Sequence, residues 1–240
     1  MEFSKDYTWT KDSYNNFLDY LNSLASQDYK VFSSRIISTK YEILGIRVPI
    51  LRSVVKKLSK TNINSFLSCI SSESFEVLFI EGLLLTYLPF EDIEKRLKLY
   101  TYKIDNWAIT DMVSNSLKIN LKNKKEYFKL IKTFINDKYE FTKRFGIVTL
   151  ISHFVLEDYL DYIFKIIKNN NSNDYYVNMA YAWLLCECFI KFRDKTLIFI
   201  KENELNTFVL RKGISKINDS YRVSIEDKMY LKKLLKNKVQ

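Results

Sequence analysis

Turn-forming residues are scarce in this chain, because its 240 residues include only four glycines and two prolines. A β-sheet protein needs a turn about every 8–12 residues, and glycine and proline are the strongest turn formers. Aromatic residues are instead abundant, with 17 tyrosines and 17 phenylalanines, whereas disordered chains contain few of them. The sequence therefore predicts a folded, all-α protein.

Apolar residues recur at helical spacing along the chain, as Phe17, Leu21 and Leu24 illustrate. Pro49 is expected in the first turn of a helix, where no N–H donor is needed. Short connections between the helices favour stacked helical hairpins in one domain over residues 1–240. The pattern predicts helices over 13–25, 28–39, 49–59, 62–70, 73–87, 90–102, 107–119, 123–136, 140–153, 156–168, 175–191, 193–202, 206–217 and 224–236.

Chemically distinctive residues are separated by about one helical repeat. Asp111 and Arg144 are 33 positions apart, and Arg144 and Trp183 are 39 positions apart. Two-helix repeats of the HEAT type have a period of about 40 residues, and they place equivalent positions on one concave surface. We therefore expect a helical solenoid in which these residues, together with Trp107, face one groove.

Basic residues outnumber acidic ones by 38 to 28, which gives a net charge of +10. Residues 118–144 contain nine basic and three acidic side chains, while 47–60 and 228–240 each contain five basic side chains and no acidic one. Such charge on a concave scaffold suits a polyanion, nucleic acid first. Lysine enrichment from an AT-rich genome also explains it, so charge alone leaves both explanations open.

Cysteine and histidine content limits the possible chemistry. Cys69, Cys186 and Cys188 are odd in number and lack framework spacing, which favours a reducing, cytoplasmic setting. His153 is the only histidine, so we expect no metal site. The chain has no Walker loop, GxGxxG or HExxH motif, so no cofactor is expected either. No apolar run reaches ~18 residues and MEFSKDYTWT has no apolar core, so we expect neither a membrane helix nor a signal peptide.

Two tryptophans, an aspartate and an arginine are the candidate functional residues. Trp107 and Asp111 are four positions apart, so one helical face carries an indole and a carboxylate. This pair suits a cation, although a core tryptophan beside a surface aspartate is the simpler alternative. Arg144, in an apolar helix, is either a phosphate clamp or half of a structural ion pair. Trp183 also lies in an apolar helix, where packing is its simpler role.

Several short motifs follow one another in a distinctive order over roughly residues 28–222. The motifs are Leu44-Gly45-Ile46-Arg47-Val48-Pro49 with Leu51-Arg52, then Glu81, Asn106-Trp107 with Asp111, Arg144, Trp183 with Leu185 and Glu187, and Arg211-Lys212-Gly213-Ile214-Ser215 running to Tyr221. Their order and spacing resemble those of the AlkD-type DNA alkylation repair proteins, which are HEAT-like-repeat DNA glycosylases.

The resemblance implies a right-handed solenoid of HEAT-like helical pairs that holds duplex DNA in a concave basic groove. It implies hydrolytic removal of N3- and N7-alkylated purines without base flipping and without a cofactor. Asp111 matches the catalytic carboxylate, and Trp107 and Trp183 match aromatic residues around the deoxyribose. Arg144 matches the arginine that secures the backbone near the lesion. We expect a monomer, with further DNA-backbone contacts from Arg47, Arg52, Lys143, Arg211 and Lys212.

Three positions depart from the family pattern. Cys186 stands where active members tend to carry a basic residue, and Ser152 where they often carry a lysine. Ile36 replaces an aromatic residue near the end of the second helix. Each change removes DNA-contacting character, so a non-catalytic DNA-binding protein remains an alternative. A protein–protein scaffold, a common use of helical solenoids, is a third.

Overall fold

The computed structural model describes residues 7–71 and 74–238, and within them every regular element is helical. The only strand-like pairing there is an isolated bridge between Glu42 and Ser74. The all-α prediction is thus confirmed. The α-helices are α1 Lys11–Ser23, α2 Gln27–Ile36, α3 Val48–Leu58, α4 Ile63–Cys69, α5 Phe75–Leu85, α6 Phe90–Thr101, α7 Trp107–Ser114, α8 Lys124–Ile135, α9 Glu140–His153, α10 Leu160–Lys168, α11 Tyr175–Lys191, α12 Arg193–Glu202, α13 Thr207–Asp219 and α14 Ile225–Lys238.

Most predicted helix ends shift by no more than two residues, and three helices differ more at one end. The helix predicted over 28–39 ends at Ile36. The helix predicted over 107–119 stops at Ser114. The Ser116 hydroxyl donates to the Met112 carbonyl at 2.7 Å, and that carbonyl would accept the Ser116 amide in a continuing helix. The helix predicted over 156–168 opens with a 3₁₀ turn, Glu157–Tyr159, and α10 begins only at Leu160.

The chain divides into two compact units, Met1–Lys124 and Lys125–Gln240. In the first unit α3 packs against α5, and α5 also packs against α6 and α7. In the second, α11 packs against α9, α12 and α13, and α13 packs against α14. Within each unit, helices therefore contact helices that are near neighbours in the chain, as stacked helical pairs do. One domain over 1–240 and a right-handed solenoid with a concave groove stay predictions.

Helix α5 is the centre of the first unit, because all of its residues are buried. Close packing depends on Gly82, where an added Cβ would lie 2.1 Å from the Tyr100 hydroxyl oxygen. That hydroxyl donates to the Leu78 carbonyl at 3.0 Å. In the second unit, α9 and α11 are the most buried helices. No helix of the described residues is both long and apolar enough to cross a membrane.

Candidate functional site

The first sequence motif forms a loop around one buried carboxylate. Glu76 is 1% exposed, and its Oε1 accepts the amides of Gly45 and Ile46 at 2.9 and 3.2 Å. Its Oε2 accepts the Leu44 amide at 2.9 Å. Gly45 has φ +91°, where a side chain would be strained, and an added Cβ would meet the Ser26 carbonyl at 2.5 Å. Glu76 therefore fixes the backbone that leads into α3.

This loop ends at Arg47, the N-cap residue of α3, which is exposed. Its guanidinium lies 5.0 Å from the centre of the Tyr29 ring, a distance that permits a cation–π contact. Glu81, the acidic residue of the sequence motif, does not hold the loop. It forms an ion pair with Lys103, with 2.6 Å between Oε1 and Nζ.

Two side chains determine where α7 begins. Asn106 is its N-cap residue and accepts the Ile109 amide at 3.0 Å, a role that asparagine often has at this position. Asp105 instead ties this point to the segment after α2. Its carboxylate accepts the Thr39 hydroxyl at 2.7 Å and the Lys40 amide at 2.6 Å. Asn106 thus caps the start of α7, and Asp105 binds that start to the segment after α2.

Helix α7 presents an indole and a carboxylate on one face. Trp107 and Asp111 are half-buried, and Asn115, the residue after the helix, is exposed. These residues follow one another at intervals of four, while 108–110 are buried. The Trp107 indole N–H donates to the carbonyl of Ile36 at 3.4 Å. The Ile36 side chain is 50% exposed, while its backbone carbonyl is the group that contacts the tryptophan.

A basic cavity of about 390 Å³ adjoins the end of α7. Arg52, Tyr87, Asn115, Ser116 and Lys118 are among the residues that line it. Both terminal nitrogens of Arg52 lie 3.3 Å from the Ser116 hydroxyl oxygen, and Lys118 Nζ lies 3.4 Å from the centre of the Tyr87 ring. Partial burial lowers the pKa of Lys118. Two cations, one from α3 and one from the segment after α7, thus line one cavity, a grouping that only folding reveals.

Arg144 is buried between α9 and α11, with 7% of its surface exposed. Its Nη1 donates to the Tyr176 carbonyl at 2.7 Å, and its Cζ is 6.0 Å from the centre of that ring. Glu140 accepts the Tyr176 amide at 2.9 Å. Two side chains of α9 therefore hold the first turn of α11.

Between its exposed first and last residues, helix α11 is buried except for one stripe. Trp183 lies in the middle of this stripe and is half-buried, so it is not a fully enclosed core residue. Intervals of three or four residues place the members on one helical face. We call this the α11 stripe: Tyr176, Met179, Trp183, Glu187 and Ile190.

A cation from a distant loop reaches the α11 stripe. Arg222, between α13 and α14, donates from Nη2 to Glu187 Oε1 at 2.7 Å. Tyr221 beside it is fully exposed. Cys186 is 4% exposed, and burial, with a contribution from Glu187, raises the pKa of its thiol to about 11. The position where the resemblance implies a basic residue thus holds a buried thiol, and Arg222 pairs with Glu187, which is four residues after Trp183.

The remaining predicted residues of the second unit lie on α9 and α13. Arg211 and Lys212 are exposed on α13, and Lys143 is half-buried on α9. Ser152 is exposed near the end of α9, and its hydroxyl donates back to the Val148 carbonyl at 3.0 Å. In the described part of the chain, no three His, Cys, Asp or Glu side chains are grouped so that they could hold a metal ion.

The chain matches a known protein family over most of its length. A family model described as "DNA alkylation repair enzyme" matches residues 17–217. The match includes Trp107, Asp111, Arg144 and Trp183. The chain belongs to the DNA alkylation repair enzyme family. Membership confirms the resemblance drawn from the motifs and supports a role in DNA repair. No curated protein and no solved structure matches the chain.

This DNA alkylation repair family protein carries two kinds of accessible charge in its first unit. The carboxylate of Asp111 and the face of Trp107 attract positive charge. Arg52 and Lys118 attract anions such as phosphate, because both are donors in charge-assisted hydrogen bonds. The surface along α7 is therefore suited to a ligand that combines an anionic backbone with a cationic centre.

Proposed function

We propose that this protein is a DNA glycosylase that hydrolyses the N-glycosidic bond of N3- and N7-alkylated purines in duplex DNA. The observation that carries the proposal is the Trp107–Asp111 pair on the accessible face of α7, next to the cavity of Arg52 and Lys118. An alkylated purine nucleotide has the matching chemistry: a cationic base and an anionic backbone. Family membership supports DNA as the substrate.

The reaction breaks the bond between deoxyribose C1′ and the purine nitrogen. Both electrons of that bond go to the purine, which leaves as a neutral base, and positive charge develops on the sugar. Asp111 stabilises this charge and orients a water molecule that attacks C1′ and then loses a proton. The Trp107 ring adds cation–π attraction to the same charge. The products are a free base and an abasic site.

In the second unit we propose a sugar contact for Trp183 and a positioning role for Arg144. Trp183 is the half-buried indole of the α11 stripe. Arg144 donates a hydrogen bond to the Tyr176 carbonyl at 2.7 Å. Tyr176 belongs to the same stripe as Trp183 and precedes it by seven residues. Loss of Arg144 should therefore disturb the presentation of Trp183 as well as remove a positive charge.

The direct test of the function is base release from duplex DNA containing 7-methylguanine or 3-methyladenine, measured by chromatography. We expect free alkylated base and an equal amount of abasic sites. Trp107→Ala should slow release by roughly 30-fold, since cation–π contacts in desolvated sites are worth about 2 kcal/mol. Efficient DNA binding with no release of either base would contradict the proposal.

The cavity residues allow a separate test of DNA contact. Arg52→Gln and Lys118→Gln should each weaken duplex binding about tenfold, as expected for the loss of one charge-assisted contact. Lys57→Gln is the matched control, because Lys57 is exposed on α3 but does not line the cavity. Equal losses in all three variants would show that only total charge matters.

A non-catalytic DNA-binding protein is the second candidate. It is favoured by Ser152, whose hydroxyl bonds back to its own helix, and by the exposed aliphatic side chain of Ile36. Neither side chain offers a charge to DNA. This candidate predicts salt-dependent mobility shifts, no base release, and unchanged binding by Asp111→Asn.

A further inference from the structure

A second cavity, of about 440 Å³, lies within the second unit. It is lined by Ile135 at the end of α8, by Lys143 on α9, by α10, and by the loop before α11. Helix α11 contributes Val177 and Tyr181, which are not members of the α11 stripe. The volume falls in the range of roughly 300–1,000 Å³ that holds small organic ligands. This cavity is therefore separate from the surface around Trp183.

Side-chain hydrogen bonds hold the loop wall of this cavity in place. Asn170 donates to the Asn178 side-chain oxygen at 2.7 Å, and Asn178 donates to the Ser172 carbonyl at 2.8 Å. The Ser172 amide in turn donates to the Asn170 side-chain oxygen at 3.1 Å. Asp174 accepts the Ser172 hydroxyl at 2.9 Å and is not a lining residue. The wall is thus organised before any ligand arrives.

The cavity is rich in hydrogen-bond donors and contains no acid among its lining residues. Lys143 and Lys165 both line it, and the ammonium group of neither forms a hydrogen bond or ion pair with another described residue. Tyr181 is only 6% exposed, yet its hydroxyl has no hydrogen-bond partner among the described residues. Burial, together with Tyr162, raises the pKa of Tyr181 well above its ordinary value. Its hydroxyl therefore remains a donor at neutral pH.

We propose that this cavity binds the phosphate group of a nucleotide-sized ligand. Two ammonium groups and a buried phenol supply positive charge and donors, which a phosphate accepts through its oxygens. Ile135, Ile166 and Val177 supply an apolar surface against which a ring can pack. The phosphate belongs either to a free mononucleotide or to the backbone of bound DNA. The proposal does not depend on glycosylase activity.

The test measures binding of deoxyguanosine monophosphate to the full chain by isothermal titration calorimetry, with inorganic phosphate and deoxyguanosine as comparisons. We expect the monophosphate to bind more tightly than phosphate, and deoxyguanosine not to bind. Lys165→Gln should weaken the monophosphate about tenfold, because one charge-assisted bond is lost. Tyr181→Phe, which removes only the hydroxyl, should weaken it about fivefold.

Lys168→Gln is the matched control, because Lys168 is an exposed lysine on the same helix that does not line the cavity. It should change affinity by less than about twofold. If Lys165→Gln weakens only unmodified duplex DNA, the phosphate comes from the DNA backbone. If neither mononucleotide nor DNA binding changes, or Lys168→Gln causes an equal loss, the proposal is wrong. Retained base release with failed phosphate binding would overturn this inference alone.

Discussion

Glu76 shows how much one buried side chain organises in this protein. Its two oxygens accept three consecutive backbone amides, those of Leu44, Gly45 and Ile46. These amides would otherwise lack partners in a loop that is largely buried. The loop also carries the first motif on which the resemblance rests, so this motif has a structural role in addition to placing Arg47.

Glu76→Gln should therefore destabilise the protein. Glutamine keeps the shape, but its amide nitrogen would face amide donors and the charge-assisted bonds would be lost, at a cost of about 2–3 kcal/mol. Urea unfolding measures this loss. Glu42→Gln is the control: its carboxylate is 64% exposed and pairs with Lys30, so we expect less than about 0.5 kcal/mol. Equal effects of the two changes would contradict the role of Glu76.

The cysteines should differ in reactivity because only the thiolate form reacts. Burial is the main cause that raises the pKa of Cys186 to about 11 and that of Cys188 to about 12. At pH 7.5 their thiolate fraction is then roughly a thousandth or less. Cys69 is partly exposed, so iodoacetamide should modify it first in the native protein, as followed by mass spectrometry. Labelling of Cys186 at the rate of Cys69 would show that α11 opens readily.

At the level of elements, helix contacts depend on two glycines in different ways. In α5, an added Cβ at Gly82 would meet the hydroxyl oxygen of Tyr100 at 2.1 Å, and Tyr100 is fully buried. In α13, a Cβ at Gly213 would meet the flexible end of Leu185 at 2.9 Å. Gly82→Ala should cost about 1–3 kcal/mol in thermal unfolding through overpacking. Gly213→Ala should stay within about 1 kcal/mol of the parent, because helix propensity offsets the contact. The reverse order would mean that α5 and α6 pack loosely.

Helix α14 depends on an ion pair, because only one of its residues, Leu231, is buried. Asp227 accepts hydrogen bonds from Arg193 Nε at 2.9 and 3.0 Å. This guanidinium lowers the pKa of Asp227 below its ordinary value. A carboxyl with a lowered pKa stabilises the fold above its unfolded pKa, near 4, and loses that contribution as pH falls through the folded value.

Asp227→Asn should therefore reduce stability at pH 7 by up to about 1 kcal/mol, since Arg193 is half exposed. The difference between variant and parent should shrink below pH 4, where Asp227 itself becomes protonated. Urea unfolding at several pH values measures this. A difference independent of pH would show that the lost contact is not electrostatic.

The sequence predicts most helices, and the failures have local causes. Helices 140–153, 175–191 and 193–202 have the predicted bounds, although none of their N-cap side chains accepts a hydrogen bond from the helix. Helix α7 is shorter than predicted: buried Leu117 continues the apolar period beyond its end, while the Ser116 hydroxyl takes the carbonyl of the last turn. Apolar periodicity indicates which residues are buried. It does not reveal a side chain that competes with the backbone amide for a helical hydrogen bond.

The candidate site was only partly predictable for a similar reason. The four-residue spacing correctly places Trp107 and Asp111 on one face of α7. Nothing in the sequence pairs Glu187 with Arg222, which is 35 positions away, or distinguishes Glu76 from Glu81 as the carboxylate of the loop. Such contacts join segments whose separation along the sequence follows no helical or repeat period. Only the packed structure reveals them.

For the molecule as a whole, the net charge of +10 should dominate weak DNA binding. Each phosphate neutralised by Lys or Arg releases counterions, so affinity falls with salt. If three or more phosphates are contacted, raising salt from about 50 to 200 mM should weaken duplex binding by roughly tenfold or more. Fluorescence anisotropy with a labelled duplex measures this. Affinity unchanged over this range would contradict a DNA-binding role.

The central claim is that the carboxylate of Asp111 acts on charge that develops in the reaction. Its most direct test is single-turnover release of 7-methylguanine by the parent and by Asp111→Asn at saturating protein. The account predicts a loss of about 100-fold or more in rate, with duplex affinity changed less than about twofold because asparagine keeps the side-chain shape. Equal rates of release by the two proteins would contradict it.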